Sequence, residues 1–243
     1  MVTETIHLMQ QHASVRNFTT EKIPADILKQ IIEAGRAAST WKNFQSYSII
    51  NVSAEATKQK IFDLQPQKSI IGASNFLVFV GDLNRAVIAT EQHTDRFYPE
   101  GVENLLIASV DASLAAQNTL LAAESLGYGG VFVGLIRDQA SELSDLLDLP
   151  DYTFPLFGVA LGVPAKRNDV KPRLPYETVV FDGSYQVQSV SIISDYDQVQ
   201  RGYAGSRRLA NDWSERVAAQ FGVPPQTATL ENLQAKKLMA KED

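Results

Sequence analysis

The stretch from Leu105 to Leu126 is Ala-rich and apolar on nearly every side, with Leu106, Val110, Leu114, Ala115, Leu121 and Ala122 at helical spacing. A helix with no polar face cannot lie on a surface. It must be covered all round, either by a large core or by a second subunit. We expect a dimer interface to form part of that cover; a purely intrachain core helix is the alternative.

The segments around it read as an alternation of helices and strands. Thr3 to Gln11 is expected to be a short helix with Ile6 and Met9 turned inward. Ile23-Pro24 opens a second, because proline suits a first helical turn, and Ile27, Leu28, Ile31, Ile32 and Ala34 continue it. Tyr47 to Val52 is a β-branched run and an expected strand, followed by a helix over Ala54 to Leu64. Asn75 to Gly81 is apolar throughout, as in a strand covered on both faces. Val131 to Leu135 and Pro155 to Val163 read as further strands, with a helix over Gln139 to Leu147. Such an alternation implies a layered sheet-and-helix domain. After Asp182 the texture changes. Gln186 to Ser194 alternates like an edge strand, Asp195 onward is charged and helical, and Thr229 to Asp243 is expected to be a fraying surface helix. These shifts place a core at 1–180 and an extension at 181–243.

Two basic-polar clusters, nearly 160 residues apart, take on meaning together. One is His12-Ala13-Ser14-Val15-Arg16; the other is Lys171-Pro172-Arg173-Leu174-Pro175. Guanidinium forks, a lysine point charge and a serine hydroxyl suit a phosphate. Between them, Gly127 to Gly134 holds four glycines in eight residues, a backbone that can approach a flat ring closely. The set implies a phosphorylated planar cofactor. Taken alone, the glycines read as a helix C-cap and a turn. They do not match a dinucleotide fingerprint, because here a helix precedes them and a strand follows.

The 243-residue chain has a net charge of −6 and no cysteine. The acidic balance argues against nonspecific nucleic-acid binding, and the lack of thiols removes disulfides and cysteine chemistry. The first residues show no apolar leader, and no run reaches the ~18 uncharged apolar residues of a membrane span. A cytoplasmic, membrane-free protein is the expectation. The three histidines, His7, His12 and His93, show no metal spacing, and His7 and His93 read as surface residues. Carboxylates such as Glu21, Glu33 and Glu124 read as scattered helix-surface charges. No catalytic nucleophile or acid–base pair stands out, so a bound cofactor would carry the chemistry.

Several segments, in order over nearly the whole chain, resemble the FMN-dependent nitroreductases, of the oxygen-insensitive NADPH nitroreductase A and flavin reductase P type. They are His12 to Phe18, Arg36 to Thr40, Ala116-Gln117-Asn118, Ala122 to Val131, Pro155 to Gly158, Lys171 to Pro175, and Arg201-Gly202 with Arg207-Arg208 and Trp213-Ser214. The resemblance implies an α+β fold, a mixed sheet flanked by helices, in an intertwined homodimer with one FMN per subunit. His12, Ser14 and Arg16 would hold the phosphate, ribityl chain and pyrimidine edge. Thr40 would meet the phosphate end, Gln67 the polar edge of the flavin, and the backbone of Gly129, Gly130 and Val131 its reactive side. Lys171 and Arg173 would pair with the phosphate. Arg201, Arg207 and Arg208 would take the 2′-phosphate of NADPH. Trp41, Lys42, Asn43 and Phe44 would line the substrate pocket, where relatives tend to be Ser-rich. The implied activity is two-electron, ping-pong reduction of nitroaromatics, quinones or related small acceptors. A reductase handing flavin to a partner and a non-catalytic flavin sensor are the alternatives.

Overall fold

The structure is a computed structural model and describes residues 2–205 and 211–240. The chain divides into two compact units, Met1–Asn168 with Thr227–Asp243, and Asp169–Gln226.

The first unit is built on a four-stranded sheet in the order β1-β2-β4-β3, from β1 (Tyr47–Val52), β2 (Asn75–Asp82), β3 (Gly129–Val133) and β4 (Thr153–Gly162). All three pairings are antiparallel. Every residue of β2 is buried, as its unbroken apolar run implies. Because a strand alternates faces, Leu77 and Phe79 enter one core cluster and Phe76, Val78 and Val80 another. On the first face lie α2 (Ala25–Arg36) and α6 (Val102–Ser125). On the other are buried residues of α3 (Glu55–Leu64), α4 (Lys68–Gly72) and α7 (Ala140–Leu146). The layers are tight. A Cβ added at Gly35 of α2 would meet the Thr119 hydroxyl of α6 at 2.0 Å, so glycine lets these two helices approach.

α6 is long and apolar enough to cross a membrane. It is instead a core helix on one side, burying Ala108, Ala112, Ala115, Ala116, Leu120 and Ala123. Its other side leaves Leu106, Val110 and Leu114 exposed at 54, 52 and 43%. The intrachain core therefore covers about half of the helix.

α1 (Glu4–Gln10) packs against α6 but buries nothing. Ile6 and Met9, expected inside, are exposed. The C-terminal segment also departs from expectation. α10 (Ala228–Ala235) is no loose surface helix: Leu233 and Leu238 are buried, and the Asn232 amide donates to the Ala140 carbonyl and the Ser144 hydroxyl. The last helix thus rejoins the first unit, and the boundary expected at 180 falls inside the second. α5 (Asn84–Glu91) completes the first unit.

The second unit contains α8 (Val190–Ala204) and α9 (Trp213–Phe221). Asp212 and Glu215 cap α9 reciprocally in a capping box, and Tyr196 of α8 packs edge-on against Trp213 at 5.4 Å. No edge strand forms over Gln186 to Ser194. The alternation there buries nothing, with Val187 92% and Val190 83% exposed. From Val190 onward the burial of Tyr196, Asp197, Gln200 and Ala204 follows a helical period.

Candidate functional site

His12 to Arg16 is an extended segment laid along the free edge of β3. The Val15 N–H donates to the Gly130 carbonyl at 2.8 Å, and the Asn168 amide donates to the Ser14 carbonyl at 2.9 Å. This explains part of the glycine-rich stretch. A Cβ at Gly129 would meet Val15 Cγ2 at 2.6 Å, and one at Gly130 would meet the Ala160 carbonyl at 2.7 Å. Gly127, at φ +86°, closes α6 in a Schellman motif: Tyr128 N–H donates to the Ala123 carbonyl and Gly127 N–H to that of Glu124. Gly129 and Gly130 are strand residues, not the turn expected of them.

The docked segment presents three polar side chains. His12 is half-buried, and its Nδ1 lies 2.7 Å from Glu124 Oε1. Glu124 is buried, so it is not the surface charge its helical context suggested. Ser14 is half-buried. Arg16 is exposed and makes no hydrogen bond or ion pair among the described residues. Gln67 stands at the N-cap position of α4, without a capping hydrogen bond from its side chain. Its turn lies beside the segment after β3, because the Gln65 amide donates to the Leu135 carbonyl at 3.0 Å.

The loop after α2 forms a second cluster. Asp111, on α6 and 1% exposed, accepts the Trp41 N–H on Oδ1 at 2.8 Å and the Ser46 N–H on Oδ2 at 3.0 Å. Between these anchors, Lys42, Asn43 and Gln45 all adopt positive φ, at 47°, 60° and 56°. Such angles strain any residue with a side chain. Arg85 adds a brace by donating to the Gln45 carbonyl at 3.0 Å. Thr40 begins the loop; Trp41 and Phe44 project from it, 50 and 63% exposed. A groove of about 760 Å³ opens beside it, lined among others by Arg36, Phe44, Tyr47 and Arg85. Burial pushes the Tyr47 phenol above its ordinary value, and the Arg36 charge partly opposes this.

In the second unit, Lys171 and Arg173 flank Pro172, whose carbonyl accepts from the Tyr196 hydroxyl at 2.9 Å and the Gln200 amide at 3.4 Å. Both cationic side chains are exposed, and Arg173 has no partner among the described residues. Arg201 turns its Nε and Nη2 to Asp212, with Nε 2.7 Å from Oδ1. This pair, its hydrogen bond first, holds the Asp212 carboxyl below its ordinary value. Arg207 and Arg208 lie outside the described residues.

The model of the nitroreductase family matches residues 9–163, and that of the nitroreductase C-terminal domain matches 171–241. The chain belongs to the nitroreductase family. An NADPH-dependent oxidoreductase of Staphylococcus aureus (strain MRSA252) is 35% identical, over 97% of this chain and 98% of its own. Among solved structures, nitroreductase A from Vibrio parahaemolyticus is 34% identical with a TM-score of 0.93, covering 99% of this chain and all of that one. The NADPH:FMN oxidoreductase from Vibrio harveyi, solved with NAD+, is 33% identical with a TM-score of 0.89, covering 98% and 100%. This nitroreductase is accordingly an oxidoreductase, with the α+β architecture that the resemblance implied.

Asp111, Asn168 and Arg85 carry no role in the sequence reading, and Glu124 reads there only as a helix-surface charge. Asp111 and Glu124 did leave a signal: they are acids inside an otherwise apolar helix, where an unpaired charge would be costly.

Proposed function

We propose that this nitroreductase holds FMN, is reduced by NADPH, and passes two electrons to nitroaromatics, quinones or related small acceptors in a ping-pong cycle. The carrying observation is the His12–Arg16 segment docked on β3 beside Gly130, which displays His12, Ser14 and an Arg16 without a partner among the described residues. These donors suit the phosphate and polar edge of a flavin mononucleotide. Lys171, Arg173, Thr40, Gln67 and the backbone of Gly129 to Val131 would complete the set.

Bound FMN supplies the hydride chemistry. The chain's own part is binding and electrostatics. Arg16 would offset negative charge on the pyrimidine side, Lys171 and Arg173 would neutralise the phosphate, and Glu124 would hold the His12 ring. Arg201, Arg207 and Arg208 would recognise the 2′-phosphate of NADPH, with Arg201 exchanging Asp212 for it. Trp41, Lys42, Asn43 and Phe44 would form the acceptor pocket.

We further propose a homodimer. The exposed Leu106, Val110 and Leu114 face of α6 needs cover. Asp111, which holds the Thr40 loop, and Glu124, which holds His12, are separated by about 20 Å along α6 at 1.5 Å per residue. A partner related by a two-fold axis brings the loop of one chain to the His12 segment of the other. A cytoplasmic location goes with this reading, since the chain would draw on NADPH there. The likeness to an NADPH:FMN oxidoreductase keeps free flavin among the candidate acceptors.

A visible absorption spectrum tests this reading. The purified or FMN-reconstituted protein should be yellow and should bleach on adding NADPH without oxygen. A colourless protein after reconstitution, or colour that NADPH leaves unchanged, overturns it.

A further inference from the structure

We propose that the clamped loop Trp41–Ser46 selects planar acceptors that carry a negative charge, and that Asp111 is the positioning residue that sets it. The inference rests on the nitroreductase reading above and adds the substrate class.

Both oxygens of the buried Asp111 carboxylate are spent on the two ends of this loop, through the Trp41 and Ser46 N–H groups. A buried carboxylate is stable only when its oxygens are satisfied, so the loop and the carboxylate hold each other in place. The strain between the anchors is concentrated. Three non-glycine residues, Lys42, Asn43 and Gln45, take positive φ within four positions. Backbone strain of this kind persists only where the surroundings over-determine it. Here Asp111 and Arg85 supply that constraint.

The constraint aims a specific surface outward. The Trp41 ring is half exposed, the Lys42 ammonium lies 5.8 Å from its centroid, and Phe44 stands two residues further on. An exposed indole with a cation held over it fits a flat ring bearing a carboxylate or sulfonate: the indole takes the ring and the ammonium takes the charge. The chain carries a net charge of −6, so its overall field repels such a ligand. A cation held beside the exposed indole counters that repulsion locally.

The reaction is balanced with NADPH as reductant. NADPH loses a hydride to become NADP+. The two electrons and that hydrogen, with one proton from solvent, convert Ar–NO2 to Ar–NO as one N–O bond breaks and water leaves.

The test compares 4-nitrobenzoate with 4-nitrobenzamide, which are close in shape and differ in charge. The readout is the ratio of their kcat/KM values, followed from wild type to variant so that the intrinsic reducibilities cancel. Lys42→Met should lower the benzoate-to-benzamide ratio about three- to fivefold, the effect of one exposed charge, through KM and not kcat. Raising salt should shrink the wild-type ratio in the same direction. Asp111→Asn leaves Lys42 in place but gives one loop N–H a donor to face, and it should lower the ratio too, with flavin content per chain checked by absorbance. A ratio unmoved by Lys42→Met overturns the proposal while the functional reading stands. A wild type that reduces neither compound with NADPH overturns both.

Discussion

His12 and Glu124 stand 112 residues apart in the chain and meet at 2.7 Å, Nδ1 to Oε1. The carboxylate is buried at the end of α6 and the imidazole is half exposed above it. The contact holds the ring by Nδ1 and leaves Nε2 free of the carboxylate. A ring nitrogen anchored by a carboxylate is oriented as well as bonded.

His12→Ala should weaken FMN binding by about 1.5–3 kcal/mol, the range for a charge-assisted hydrogen bond. Glu124→Leu should weaken it by less. The double variant should be no worse than His12→Ala, because Glu124 acts through the imidazole. Flavin fluorescence titration gives the dissociation constants; additive losses would show that Glu124 acts independently.

The exposed face of α6 leads to a second expectation. Val110→Glu places a charge in the middle of the Leu106–Leu114 stripe, which is open in the single chain. Light scattering at micromolar concentration should then show a monomer, and flavin occupancy should fall with the dimer. A dimer unaffected by Val110→Glu, or a wild-type monomer with full flavin, would place the interface elsewhere.

On the proposed reading Asp212 competes with NADPH for the Arg201 guanidinium, which can be read in both directions. Arg201→Ala should raise KM for NADPH roughly 10-fold or more, the effect of losing a charged hydrogen-bond set, while NADH use changes little. Asp212→Asn should lower KM for NADPH, since it frees the guanidinium and asparagine still caps α9. If both variants shift NADPH and NADH equally, Arg201 does not read the 2′-phosphate.

Glu55 ties acid stability to a buried lysine. Lys58 is fully buried, and its ammonium contacts Glu55 Oε1 at 2.9 Å and donates to the Ala73 carbonyl at 3.0 Å. The hydrogen bond from Lys58, and next that from Lys22, hold the Glu55 carboxyl below its ordinary value of 4.5. A depressed carboxyl stabilises the fold above its unfolded pKa, and that stability is lost as pH falls through the folded value. Glu55→Gln should therefore lower Tm at pH 7 and flatten the fall in Tm below pH 4.5. Glu55 is largely exposed, so the effect should stay under about 1 kcal/mol. Parallel Tm–pH curves for wild type and variant would remove Glu55 from this role.

The elements with strong local signals were legible in the sequence. β1 appears as expected over Tyr47–Val52, and β2 and α6 appear within a few residues of the expected ends. The unbroken apolar run of β2 and the all-round apolar pattern of α6 are short-range properties, and spacing encodes them directly. The His12 and Gly129 segments were legible as separate clusters. Their docking through Val15 N–H and the Gly130 carbonyl was not, because sequence spacing says nothing about which distant strand edge a segment meets. Tertiary structure also decided which face of α6 the sheet takes. It buried Glu124 under His12 and both oxygens of Asp111 under the Trp41 loop. At Gln186–Ser194 a two-residue alternation looked like a strand, but an isolated strand has no ladder to satisfy its backbone, and a helix from Val190 satisfies its own. The C-terminal helix, polar enough to read as a surface element, was drawn back to the first unit by Leu233, Leu238 and the Asn232 amide. A few buried contacts at long sequence separation outweigh local composition there, because burial energy depends on what covers a side chain and not on its neighbours in sequence.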